Sequence, residues 1–228
     1  MEKIITQVQS WELLSKLPKE LESFILTINK EERGTQYCIF TYENKEWHKS
    51  FSIIYDKATK EFLARIVIGL TEYFDVNFIV SDMKILDKLL VERLKITLKN
   101  LAVFNQDNLD SIILDKKILE WPYGKQLPQE SAGFTLFIKP QQPLKIINGS
   151  YIIIDYSDFY NESSFVIYYN IFRDEFFGEV RIRRTPQMSA AFDGNTLDKL
   201  QENINIHLTA VLEDMRMQLD KGILDKEK

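Results

Sequence analysis

Two stretches of this 228-residue chain repeat one another, and no other feature constrains the fold as much. Phe51 to Ile68 (FSIIYDKATKEFLARIVI) lies over Phe165 to Ile182 (FVIYYNIFRDEFFGEVRI) without a gap, and six of the eighteen positions are identical: Phe51, Ile53, Tyr55, Glu61, Phe62 and Ile68 meet Phe165, Ile167, Tyr169, Glu175, Phe176 and Ile182. The same shift sets Tyr37 and Tyr42 on Tyr151 and Tyr156. After small changes of offset, Ser23-Phe24-Ile25-Leu26 resembles Gly133-Phe134-Thr135-Leu136, and Leu86-Asp87-Lys88-Leu89 recurs as Leu197-Asp198-Lys199-Leu200. Collinear segments in unbroken order predict an internal duplication.

Each copy reads as strands followed by a helix. In the second, β-branched and aromatic runs over Gly133–Lys139, Ser150–Tyr156, Ser163–Phe172, Glu175–Arg184 and Met188–Asp193 predict five strands, bounded by Pro140, Pro143, Asn148-Gly149, Arg173-Asp174 and Pro186. The short Arg173-Asp174 junction predicts an antiparallel hairpin. Leu197, Leu200, Ile204, Leu208, Val211, Leu212 and Met215 then recur at helical spacing to near Leu219. In the first copy Ser81 or Asp82 caps the matching helix, which carries Ile85, Leu86, Leu89, Leu90, Leu94, Leu98 and Leu101 on one broad face. Gln9–Leu21 and Leu109–Trp121 read as helices ahead of each copy. The expected fold is α+β: two antiparallel meanders of four to five strands, each with its helix, packed with approximate twofold symmetry. The divisions are residues 1–104 for the first repeat, 105–131 for a helical connector and 132–228 for the second repeat.

Composition excludes more functions than it indicates. A single cysteine, Cys38, rules out an internal disulfide, and two histidines, His48 and His207, leave little for a metal site. Cys38 alternates with Phe40 and Tyr42 as a core residue would, His48 reads as a turn residue, and His207 as a helix flank. The eight glycines are isolated, so no phosphate-cradling loop is present, and no serine nucleophile motif occurs. No catalytic residue, metal ligand or cofactor is assigned. Nothing approaches the roughly 18 consecutive apolar residues of a membrane span, and the first residues lack a signal pattern, so a soluble, cytoplasmic protein without a membrane partner is expected. Asn148-Gly149-Ser150 and Asn161-Glu162-Ser163 therefore read as turns rather than glycosylation sites.

Strand alternation separates the faces of the second repeat. Phe176, Gly178, Val180 and Ile182 form a clean apolar face for the terminal helix, whereas Phe177, Glu179, Arg181 and Arg183 mix aromatic, acidic and basic groups. Tyr168, Phe172, Phe177, Arg181, Arg183 and Arg184 are the candidate ligand- or partner-binding residues, too aromatic for a solvated surface and too charged for a core. Rings beside guanidinium groups could stack unpaired bases, but a net charge of -5 opposes phosphate binding. Asp155, Asp158, Glu175, Glu179 and Asp193 could serve a carboxylate-based enzyme only if two of them converge.

The tandem of strand meander and helix resembles, in element order, the single-strand-binding proteins of the Whirly and purine-rich-element-binding type; that resemblance implies four-stranded repeats and single-stranded nucleic acid as partner. Phe192-Asp193-Gly194-Asn195-Thr196-Leu197 followed by Glu202-Asn203-Ile204 is similar to the strand, turn and helix of HicB-type antitoxins, with no site carried over. The function expected from the residues themselves is a non-catalytic binding or scaffold protein with a protein partner or a second copy of itself. The alternatives are a single-stranded nucleic-acid binder and, third, the carboxylate enzyme.

Overall fold

Alternating strands joined by tight turns build two antiparallel sheets, one in each of two units, Met1–Asn105 and Gln106–Lys228. The computed structural model describes residues 2–146 and 149–224, so Asn148 lies outside the described residues. In the first unit, α1 (Glu2–Gln9) and α2 (Glu12–Lys16) precede six strands in sequential order: β1 (Glu20–Leu21), β2 (Phe24–Arg33), β3 (Gln36–Asn44), β4 (Lys49–Asp56), β5 (Glu61–Ile68) and β6 (Thr71–Val80). Helix α3 (Met83–Ala102) follows. In the second unit α4 (Ser111–Asp115) leads to β7 (Glu130–Ser131), β8 (Phe134–Ile138), β9 (Leu144–Lys145), β10 (Ser150–Asp158), β11 (Ser163–Asn170), β12 (Glu175–Ile182), β13 (Thr185–Gly194) and α5 (Leu197–Leu224). Here the order is β13-β12-β11-β10-β8-β7, with β9 paired to β10.

The fold is therefore α+β, with sheets of six and seven strands. Two helical expectations are corrected. Leu109–Trp121 holds only the single helical turns of α4, because Lys117 enters the left-handed region at φ 57 and stops it. Ile113, Ile118, Trp121 and Leu127 nonetheless enter the core of the second unit, since successive turns can bury the same side chains as a helix. Gln9–Leu21 is likewise broken: helix occupies Glu2–Gln9 and Glu12–Lys16, and Glu20–Leu21 is a strand. Pro18 ends the helical region, and its carbonyl accepts the Tyr42 hydroxyl at 2.7 Å.

The same irregularities recur in each unit. A bulge interrupts β3 between Cys38 and Phe40, and another interrupts β10 between Ile152 and Ile154, 114 residues later. In β6 the stretch from Asp75 to Val80 faces only Ala64 to Phe62, and in β13 the stretch from Ser189 to Gly194 faces Gly178 to Phe176. These wide bulges drop Phe78 and Phe192 into the cores, where Phe78 meets Phe51 at 5.4 Å and Phe192 meets Phe165 at 4.6 Å. Tyr156 donates to the Pro128 carbonyl at 2.8 Å, as Tyr42 does to Pro18.

The helices close both cores. Asp82 caps α3 by accepting from the Lys84 and Ile85 amides at 2.8 and 3.1 Å, and Thr196 accepts from the Lys199 amide at 3.2 Å. Leu86, Leu90, Leu94, Leu98 and Leu101 are buried along α3, and Leu200, Ile204, Leu208, Leu212 and Met215 along α5. Each buried pair is separated by 114 residues, the shift of the strands. The four-residue match of Leu86–Leu89 to Leu197–Leu200 runs at 111 and is out of register: Leu89 is half-buried, whereas Leu200 is fully buried. Each fully buried large side chain contributes roughly 1.5 to 3 kcal/mol.

Candidate functional site

The outer face of the second sheet, turned away from α5, carries the mixed residues. Its geometry depends on the β10 bulge. Strict alternation would put Asp155 on the core side with Tyr151 and Ile153, but the extra residue flips it to the face of Ile152. Asp155 then stands across from Val166, Ser157 across from Ser164, Ser164 across from Arg181, Val166 across from Glu179, and Tyr168 across from Phe177.

These side chains engage one another. Arg181 donates to the Glu179 carboxylate and to the Tyr168 hydroxyl, and that hydroxyl donates to Glu179 Oε1 at 3.3 Å. The Tyr168 ring stacks on Phe177, with centroids 5.0 Å apart and planes 19° apart. Phe137, Leu144 and Ile146 pack against the cluster of Ile138, Ile152, Val166 and Tyr168, and Tyr168 is only 4% exposed. Burial raises the Tyr168 pKa, with the Arg181 charge opposing, so the phenol stays protonated.

Asp155 is completely buried and accepts from the Ser157 hydroxyl at 2.7 Å through Oδ1. Its Oδ2 and the Ser164 hydroxyl have no hydrogen-bond partner among the described residues. Burial pushes the Asp155 carboxyl up to about 6, against the opposing influence of the Ser157 hydrogen bond and the Arg181 charge.

The predicted constellation divides into two groups. Tyr168, Phe177 and Arg181 come together as expected, whereas Phe172, Arg183 and Arg184 do not join them. Phe172 lies in the β11–β12 turn, where Asn170 Oδ1 accepts from its amide at 3.0 Å, and it is 79% exposed. Arg183 and Arg184 form the two-residue turn between β12 and β13, with φ 48 and 65, and their side chains are exposed. The turn is held by the Arg183 amide on Ser163 Oγ at 2.9 Å and by the Arg184 guanidinium on Glu162 at 2.6 Å. Strand β12 therefore ends at Ile182, and Pro186 lies within the edge strand β13, where a missing donor is tolerated.

The carboxylates scatter. Asp158 accepts from Arg216 at 2.8 Å, while Asp193 is raised by burial and by the Glu175 charge. Asp155 and Glu179 both feel the Arg181 charge, Glu179 by direct ion pairing and Asp155 at longer range; the sequence names both as candidate carboxylates but carries no signature of the bulge that turns Asp155 to this face. The bulge in β3 produces the matching correction in the first unit: Cys38 leaves the face of Phe40 and Tyr42 and packs with Ile54, Leu63 and Phe74. There it donates weakly to Asn29, which also accepts from Thr41 at 2.9 Å. His48 lies in the β3–β4 turn at φ 50, and His207 sits edge-on to Phe192 on the flank of α5. Among the described residues no helix is long and apolar enough to cross a membrane.

No protein family, curated protein or solved structure matches this chain. The observed sheets, with six and seven strands, also depart from the four-stranded repeats implied by the Whirly-type resemblance.

Proposed function

We propose that the chain is a non-catalytic interaction or scaffold protein whose partner is protein. The observation that carries this reading is the closed state of the Tyr168, Glu179 and Arg181 set. A surface that stacks bases needs open rings and free guanidinium groups. Here the ring lies against Phe177 and the guanidinium is occupied by Glu179 and Tyr168. Asp155 has the raised pKa of a general acid, but a proton donor must reach its substrate, and this carboxyl is wholly covered. The set is better explained as a polar network that fixes the pairing of three strands. The shared bulges, caps and buried positions also support the proposal that the two units arose by duplication.

A low-salt titration of mixed-sequence single-stranded DNA and RNA against the pure protein tests the functional reading. No binding tighter than about micromolar is expected, since non-specific phosphate binding by even a basic protein lies near that range. Tighter binding lost on charge reversal of Arg181 and Arg183 would replace the interaction reading with the nucleic-acid one.

A further inference from the structure

The outward sides of the two long helices leave aliphatic side chains in solvent. On α3, Ile85 is 51% and Ile96 61% exposed, opposite the buried leucines; on α5, Ile206 is 60% and Met217 52% exposed, opposite Leu200 to Met215. β-branched side chains gain nothing on the solvent side of a helix, where they lower helix propensity and leave apolar area wet. Ile85, Leu89, Glu92, Ile96 and Lys99 follow a four-three spacing, as do Ile206, Ala210, Glu213 and Met217, so each set runs as one line along its helix.

The two helices agree in their buried residues and differ in charge outside. At the shift of 114 that aligns the cores, Lys88 corresponds to Glu202 and Lys99 to Glu213, and all four are exposed. We infer that α3 of one copy packs antiparallel on α5 of a second copy. In a single antiparallel register Lys88 faces Glu213 and Lys99 faces Glu202, while Ile96 meets Ile206, Ile85 meets Met217 and Glu92 meets the small Ala210. Pairing α3 with another α3 would instead set lysine against lysine, and α5 with α5 glutamate against glutamate. Charge therefore selects the unlike pair. Glu202 already bonds Lys199 at 2.9 Å on its own helix, a solvent-accessible i,i+3 contact that a second lysine can join or replace. The inference rests on the interaction reading and names its partner as a second copy of this chain.

Analytical ultracentrifugation of the full chain over a concentration series tests it. Wild type should associate with a dissociation constant on the order of 10 µM, as suits a small helix-on-helix interface. Lys88→Glu with Lys99→Glu should weaken association by about tenfold or more, as should Glu202→Lys with Glu213→Lys, and the chain carrying all four should regain it. A second measurement does not depend on those variants folding. In a Cys38→Ser background, Ile96→Cys and Ile206→Cys chains should form an oxidative cross-link when mixed, and neither should do so alone. A wild type that stays monomeric at several hundred micromolar would overturn both this inference and the self-association form of the interaction reading. A dimer insensitive to both reversals, without the mixed cross-link, would overturn the helix pairing alone and leave the interaction reading standing.

Discussion

Between the two units the inner faces agree and the outer faces do not. Inside, tyrosines, phenylalanines and leucines recur at a constant spacing, and the bulges repeat, as do the left-handed turn residues His48 and Glu162, Lys60 and Asp174, and Gly69 and Arg183. Outside, Thr41, Ser52, Ile54, Leu63, Arg65 and Val67 occupy the positions where the second unit has Asp155, Val166, Tyr168, Phe177, Glu179 and Arg181. In the first unit Thr41 bonds Ser52 at 2.9 Å and Asn29 at the same distance, and Arg65 stands where the second unit has Glu179, its Nε buried without a hydrogen-bond partner among the described residues. The second uses a carboxylate pair around one arginine. The face against the helix keeps its side chains from one unit to the other, whereas the opposite face, also buried at Ser52, Ile54, Val166 and Tyr168, changes its chemistry on the same backbone pattern.

Two substitutions probe the shared side of this comparison with the largest expected effect. Leu86→Ala and Leu200→Ala, equivalent at the 114-residue shift, should each cost about 2 to 5 kcal/mol in denaturant unfolding. Leu89→Ala, at a half-buried position, should cost much less than either. Equal losses for Leu89 and Leu200 would instead restore the 111-residue alignment and break the equivalence of the helices.

The divergent side is sharpened by pH. Asp155 has a folded pKa near 6, above the ordinary value of an unfolded aspartate, so the folded state prefers the proton. Its favourable contribution is complete below about pH 4 and is lost as pH rises through about 6. The groups facing it are Arg181, Glu179 and Tyr168, of which Arg181 limits the shift. Asp155→Asn mimics the protonated form. It should therefore be more stable than wild type at pH 7.5 by about 2 to 3 kcal/mol, with the difference vanishing below pH 4. A destabilised variant at pH 7.5 would mean that the carboxylate is charged and serves Arg181. No counterpart exists in the first unit, where Thr41 holds the equivalent position.

What was legible in the sequence follows the same division. The alternation of Phe165 to Asn170 and of Phe176 to Arg181 predicted which side meets the helix, because a period of two is a strong signal wherever the ladder is regular. The cap at Ser81 or Asp82, which falls to Asp82, was legible for a similar reason, a short acceptor before an apolar run. A bulge inserts a residue without a glycine or proline to mark it, so the reversal at Cys38 and Asp155 left no trace. The Arg183-Arg184 turn was hidden as well: two arginines at positive φ lack the usual Asn-Gly signal and follow on from the strand pattern as its end. Lys117 concealed the end of α4 in the same way.

Tyr168, Phe177, Glu179 and Arg181 form a closed network rather than an open binding surface. Tyrosine nitration of the native protein, mapped by peptide mass spectrometry, reads that directly. Tyr160, in the β10–β11 turn, is 92% exposed and serves as the internal reference against Tyr168 at 4%. Modification should reach Tyr160 readily and spare Tyr168 until the protein unfolds. Nitration of Tyr168 in the folded protein at a rate comparable to Tyr160 would contradict the closed network and return its face to the candidates for ligand binding.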